Sequence, residues 1–306
     1  ANIKSTIAFF QERYASDPSF QALVNEAVAR ILKLKLSLYG TTPRLSTVRP
    51  NATRASEEVG VYQESLAPIA RGAITLLSPP SPDLAPSPPT PEDNIVIFSD
   101  SRSGLPCTTC APRSYIDPLI LGDTIIRLYG PLATGQISPW RVRSYTFDGL
   151  EEYMAGPPTE AGESPSELYL EIETQLQYAD WIIFAMLGPV GDSPQPGVVR
   201  RFLAEHAGTF EEPHLVVLAY DAPYYLDATE INKLSAYYAT YGRTESAIEA
   251  SVRAMFGEYA PTGFPPVNVP GINYDLLAQP SPMVTLTIHL VFETREAPEQ
   301  ATQRPT

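Results

Sequence analysis

Three short runs constrain this chain most: Ile95–Phe98, Trp181–Met186 and Leu215–Tyr220 are apolar at almost every position. Runs of four to six such residues are too short for buried helices. They lack the two-residue alternation of a strand with one wet face, so they predict strands covered on both sides. Amphipathic stretches lie on either side of the second run. Residues 166–178 (SELYLEIETQLQY) place Leu168, Ile172 and Leu176 four apart, and a second helix is expected over about 197–207. Strands alternating with helices define an α/β chain, a three-layer α/β/α sandwich on a mostly parallel sheet. Two more strands are expected, Ala73–Leu77 and Asp123–Tyr129, with a polar, glycine-rich stretch over 131–165.

The remainder divides by composition. Residues 1–40 read as two helices broken at Asp17-Pro18, with an apolar stripe through Phe9, Phe10, Tyr14, Phe20, Leu23, Ala27, Ile31 and Leu34. Asp17 or Ser16 caps the second helix, Pro18 suits its first turn, and Gly40 ends it. Residues 41–62 predict an extended polar linker, carrying an Asn51-Ala52-Thr53 glycosylation triplet of the kind that often occurs by chance. The sandwich is expected over 63–294. It opens with a helix of about 62–72 that Pro68 kinks or shortens, and a strand is expected at Met283–Phe292. A tail at 295–306 reads as disordered. The chain holds 32 prolines, and seven of them fall in residues 79–92 (PPSPDLAPSPPTPE). That loop is excluded from helix and interior sheet and favours extended polyproline conformations.

Several functions are excluded. A formal charge of -14, with 21 Lys and Arg against 35 Asp and Glu, leaves no basic surface for nucleic acid. No run of 18 apolar residues exists, so no membrane span is expected. The start, ANIKSTIAFF, lacks the pattern of a signal peptide. No phosphate loop, dinucleotide fingerprint or nucleophile elbow appears, so no cofactor is expected. His206, His214 and His289 fall on a helix, before a strand and within a strand, positions more typical of structural histidines. No metal site is expected. Cys107-Thr108-Thr109-Cys110 is open to three readings: a loop-pinning disulfide, free thiols, or metal or redox chemistry.

Ligands of open α/β sheets meet the loops beyond the strand carboxyl ends. The candidates there are Asp100 and Asp221, with Tyr220 and Tyr224 as a sugar-stacking edge; the alternative is that the aspartates cap backbone N–H groups and the tyrosines pack a turn.

From Leu215 to about residue 276 the chain resembles the C-terminal domain of glycoside hydrolase family three, in its β-N-acetylhexosaminidase-like branch. The resemblance rests on Ala219-Tyr220 through Pro223-Tyr224, Ala236–Gly242 at a helix end, Ser246 and Ala250, Phe256-Gly257-Glu258, Pro261-Thr262-Gly263, Pro266-Val267 and Val269-Pro270-Gly271. It extends more weakly to Ala70–Leu77. The segment AVARILKLKLSLYG within residues 1–40 resembles that family's last barrel helix. The resemblance implies a (β/α)8 barrel partner, domain or subunit, carrying the aspartate nucleophile and a histidine-containing acid/base loop. Neither element occurs in this sequence, so none of its residues is assigned a catalytic role. It also implies amino-sugar glycans as ligands. No location is set by the sequence; an extracellular or cell-envelope one is favoured over a cytoplasmic one. The alternative is a stand-alone structural or interaction module with the same fold and no hydrolase activity.

Overall fold

The computed structural model describes residues 3–40, 49, 51–158, 164–188, 195–210, 213–266 and 268. The chain forms two compact units, dividing between Leu66 and Ala67.

In the first unit, helices Ile3–Ser16 and Pro18–Tyr39 meet at Asp17. The Asp17 side chain accepts from the amides of Ser19 and Phe20 (3.0 and 3.1 Å), and Pro18 opens the second helix. Gly40 closes that helix at φ 74°, its N–H donating to Leu36 O. The pair is held by stacking of Phe10 on Phe20 and by a hydrogen bond from Tyr14 to Asn25. Neither helix buries a residue. The linker expectation for 41–62 needs correction, because Ala52–Glu58 is helical. The Asn51 side chain accepts from the Thr53 amide (3.0 Å), and ATRASEE has no helix breaker to stop the turn from propagating. The next helix, Gln63–Ala73, runs through Pro68.

Among the described residues the second unit contains eight strands: β1 (Thr75–Ser78), β2 (Ile95–Ser99), β3 (Ser103–Gly104), β4 (Arg113–Ser114), β5 (Val142–Thr146), β6 (Trp181–Met186), β7 (His214–Ala219) and β8 (Ala236–Ala239). Six form one sheet in the order β1-β8-β7-β6-β2-β5, while β3 and β4 form a separate hairpin. Every pairing in the large sheet is parallel except that of β1 with β8. Alternate residues feed two cores. Val96, Phe98, Ile182, Phe184 and Val217 face helices Phe147–Ala155, Glu167–Gln177 and Gln195–Glu205. Ile95, Ile97, Ile183, Val216 and Leu218 face helices Ile120–Tyr129 and Glu245–Met255. This is the three-layer sandwich expected from the sequence, with the apolar strands at its centre.

Three local expectations are overturned. Asp123–Tyr129 is part of a helix, because the buried positions Leu121, Ile125 and Tyr129 recur every four residues once the run is read from Ile120. Ala236–Ala239 is a strand rather than a helix end. All four residues are buried, and adjacent tyrosines suit a pleated surface. Gly242 therefore ends no helix, and the left-handed residue beside it is Tyr241 at φ 54°. The polar stretch 131–165 conceals edge strand β5, whose partly exposed residues give no continuous apolar run. The Pro-rich loop 79–92 holds only a three-residue turn of helix, Pro82–Leu84. The expected strand at 283–292 and tail at 295–306 lie outside the described residues.

Two further features tie this unit together. The Gly263 amide donates to Ile74 O (2.9 Å), and a side chain there would sit 2.5 Å from Ala73 O, so the close approach requires glycine. Helices Ile120–Tyr129 and Glu245–Met255 are tied by Arg127 to Glu249 (2.8 Å), Arg253 to Glu249 and Glu258, and the Tyr129 hydroxyl to Glu258 (2.7 Å). Partial burial pushes both glutamates upward, but the hydrogen bonds from Arg127 and Arg253 to Glu249, and from Tyr129 and Arg253 to Glu258, outweigh it and hold both carboxyls below their usual range. The folded state thus holds fewer protons than the unfolded chain as pH falls past the ordinary value of 4.5. The cluster's contribution is full above that pH and is lost below it. Urea titrations from pH 5 down to pH 3 should show stability falling, with a shallower fall in Glu249→Gln/Glu258→Gln; an unchanged slope contradicts this.

Candidate functional site

Omitting β1, the chain runs from β2 out to edge strand β5, then returns past β2 to β6. The sheet therefore changes direction between β2 and β6, and the crevice beyond their carboxyl ends is where open α/β sheets take ligands. Here that crevice is bridged by protein. Asp100 follows β2, with its amide donating to Ala185 O of β6 (2.9 Å) and its side chain 0% exposed. Arg102 folds back over it: Nε donates to Asp100 Oδ1 (2.9 Å) and Nη2 to Oδ2 (2.7 Å). The same Nη2 donates to Gly188 O (2.7 Å), just beyond β6. The guanidinium, 9% exposed, thus clamps the two strand ends together. Its remaining nitrogen, Nη1, is buried without a hydrogen-bond partner among the described residues.

The other strand ends surround this clamp. Ser101 donates to Asp148 Oδ2 (2.9 Å) beyond β5, where Thr146 caps the following helix by accepting from the Gly149 amide. Beyond β7, Tyr220 is 0% exposed. Burial pushes its hydroxyl upward, against a partly offsetting hydrogen bond with Ser251 Oγ (3.1 Å). Asp221 is half-buried, and a Cβ on Gly188 would stand 3.7 Å from its Cβ. Tyr224 is 44% exposed. Beyond β8, Thr240 Oγ1 donates to Gly242 O (2.7 Å), shaping the turn that presents Arg243 over the Tyr115 ring.

The four residues expected near a sugar site have different standings in this geometry. Tyr220 is a core residue and offers no surface. Asp100 accepts from the Arg102 amide (3.1 Å) and from its guanidinium, so its carboxylate points into protein. Asp221 is half-buried beside Gly188, and Tyr224 is exposed beyond β7. Neither Arg102 nor Asp148 stands out in the sequence, and Gly188 is legible there only as part of the loop that follows a strand. The Asp100-x-Arg102 spacing carried the signal, because two residues past a strand end a long cation can return over the preceding carboxylate.

Cys107 and Cys110 are joined in a disulfide. Among the described residues, no three His, Cys, Asp or Glu side chains are placed to hold a metal ion, and no helix is long and apolar enough to cross a membrane. His206 packs among Phe202, Phe210 and Tyr153, and His214 packs on Trp181. His289 lies outside the described residues.

No protein-family model matches the chain, and no curated protein matches it. Solved structures do. One is similar over 84% of this chain and 24% of its own, at 17% identity and TM-score 0.46: a fungal multi-domain GH3 β-N-acetylglucosaminidase containing a GCN5-related glucosamine N-acetyltransferase region. Another is a glycoside hydrolase family 3 β-N-acetylglucosaminidase from Paenibacillus sp. str. FPU-7, at 16% identity and TM-score 0.47, covering 81% of this chain and 39% of that one. A β-glucosidase from Listeria innocua gives 16% identity and TM-score 0.38, covering 81% and 33%. The chain thus spans well under half the length of each protein.

Proposed function

We propose that this chain is the non-catalytic C-terminal α/β domain, or subunit, of a β-N-acetylhexosaminidase-like enzyme of glycoside hydrolase family three. In this reading, hydrolysis of O-glycosyl bonds belongs to a (β/α)8 barrel, either on the same polypeptide or in a partner chain. Amino-sugar glycans are its substrates, and Asp221 and Tyr224 stand at the sugar-facing edge. The ordered sequence resemblance from Leu215 onward supports the family. The observation that carries the non-catalytic part is the state of the strand ends. A glycosidase requires two carboxyl groups free to meet the scissile bond from opposite sides. Asp100 is instead sealed under Arg102, and Asp148 receives a hydrogen bond from Ser101. The same reading puts the protein in an oxidising setting, extracellular or in the cell envelope; the Cys107–Cys110 disulfide supports it.

The chain alone should release no chromophore from an aryl N-acetyl-β-glucosaminide between pH 4 and 8. Activity in the isolated chain that disappears in Asp100→Asn/Asp221→Asn would overturn the assignment and make it a hydrolase in its own right.

A further inference from the structure

The β3–β4 hairpin is unused by the functional reading. Its arms hold two residues each, paired Ser103 to Ser114 and Gly104 to Arg113. The residues between them, 105–112, are all exposed, and none contributes to either core. Two ladder pairs without a buried face do not hold a hairpin in water. The Cys107–Cys110 disulfide closes its tip, where the Cys110 amide also donates to Cys107 O (3.2 Å). At the base, the Tyr115 amide donates to Arg102 O (2.9 Å). The Tyr115 ring lies against Gly104, where any side chain would collide with it, and beneath Arg243. The hairpin therefore fixes the backbone of the residue whose guanidinium clamps β2 to β6. Among the described residues nothing pairs Nη1 of that guanidinium, an arrangement that costs free energy and relies on the loop to keep the head in place.

We propose that Cys107–Cys110 is a thiol–disulfide exchange site that latches the Arg102 loop over the strand ends, and that a dithiol reductant opens it. A thiolate of the reductant attacks Cys110 Sγ. The bond between the two cysteine sulfurs breaks, and Cys107 Sγ leaves as a thiolate that takes up a proton. The second thiol of the reductant then displaces Cys110 from the mixed disulfide. The products are two cysteine thiols and an oxidised dithiol, the reductant supplying both electrons. Exposure of both cysteines admits the attacking group. The direction of attack follows from Thr109, whose Oγ1 lies 3.5 Å from Cys107 Sγ. A disulfide sulfur carries no proton, so the hydroxyl is the donor, and it stabilises charge developing on Cys107 as the leaving group. Opening the latch removes the covalent closure of residues 107–110 and frees the loop from Ser101 to Tyr115, while the sheet beneath keeps its cores.

The test is hydrogen exchange on the full chain with and without reduced dithiothreitol under native conditions, with thiols counted in parallel. Two thiols should appear, and amides in residues 101–115, Tyr115 among them, should exchange roughly tenfold or more faster. Amides of β6 and β7 should be unchanged. Cys107→Ser/Cys110→Ser should show the reduced pattern without reductant and ignore its addition. The wild-type comparison decides the matter even if that variant folds poorly. Thr109→Val should slow reduction without altering the oxidised exchange pattern; an unchanged rate overturns Cys107 as the leaving sulfur. Release of two thiols with no faster exchange at Tyr115 overturns the latch. A disulfide that stays closed until the sheet unfolds overturns the exchange site.

Discussion

Arg102→Met will destabilise the second unit by about 3–5 kcal/mol in urea unfolding, the cost of leaving a buried charge without its partner. Asp100 has no solvent contact, and both of its carboxylate oxygens accept from Arg102. Methionine preserves much of the aliphatic stem and removes every side-chain donor. Asp100→Asn in the same background removes the stranded charge, so the double variant should recover part of the loss. The two substitutions should then be non-additive, as expected for groups in direct contact. Arg102→Lys should fall between the extremes, because an ammonium offers a point charge but cannot span Asp100 and Gly188 O as a planar fork does. An Arg102→Met variant within about 1 kcal/mol of the parent contradicts the clamp, since a buried unpaired carboxylate cannot cost so little.

Phe184→Ala should cost a similar amount, about 3–5 kcal/mol, for a different reason. Phe184 is buried in β6, at the middle of the six-stranded order. Its ring stacks on Phe98 of β2 (6.0 Å between centroids) and meets Phe202 of helix Gln195–Glu205 edge-on (5.3 Å). Truncation leaves a cavity bounded by two strands and a helix that cannot collapse without breaking ladder bonds on both sides of β6. Phe184→Leu keeps most of the volume and should lose distinctly less. Thermal and urea unfolding of both variants measure the difference; equal losses would mean that ring volume is not what this layer requires.

The contrast between these residues explains what was legible in the sequence. Phe184 sits in a run apolar at every position, and such runs report a doubly covered strand without outside information. The same holds for Ile95–Phe98 and Leu215–Tyr220. Edge strands gave weaker signals. In β5, Arg143 and Ser144 lie at the margin of the sheet, so burial does not force them to be apolar and the run dissolves into its polar surroundings. Ala236–Ala239 was legible as apolar but assigned to a helix end by the family resemblance, although strand length and two adjacent tyrosines favoured β8. Residues Asp123–Tyr129 show the opposite error: a helical period cut short looks like a strand. The clamp was harder to see, because the sequence places Asp100 and Arg102 side by side but says nothing of Gly188, which lies 86 residues along the chain from Arg102. Strand order brings those residues together, and strand order is not written in any local pattern.

The most direct test of the proposed function is the mass of the protein recovered from its native source under non-denaturing conditions. A species larger than the 33.5 kDa of this chain is expected, in which a (β/α)8 barrel is found on the same polypeptide or in a stably bound partner, and which hydrolyses aryl N-acetyl-β-glucosaminides. A species of 33.5 kDa with no barrel attached would contradict the proposed function and leave a stand-alone module with the fold alone.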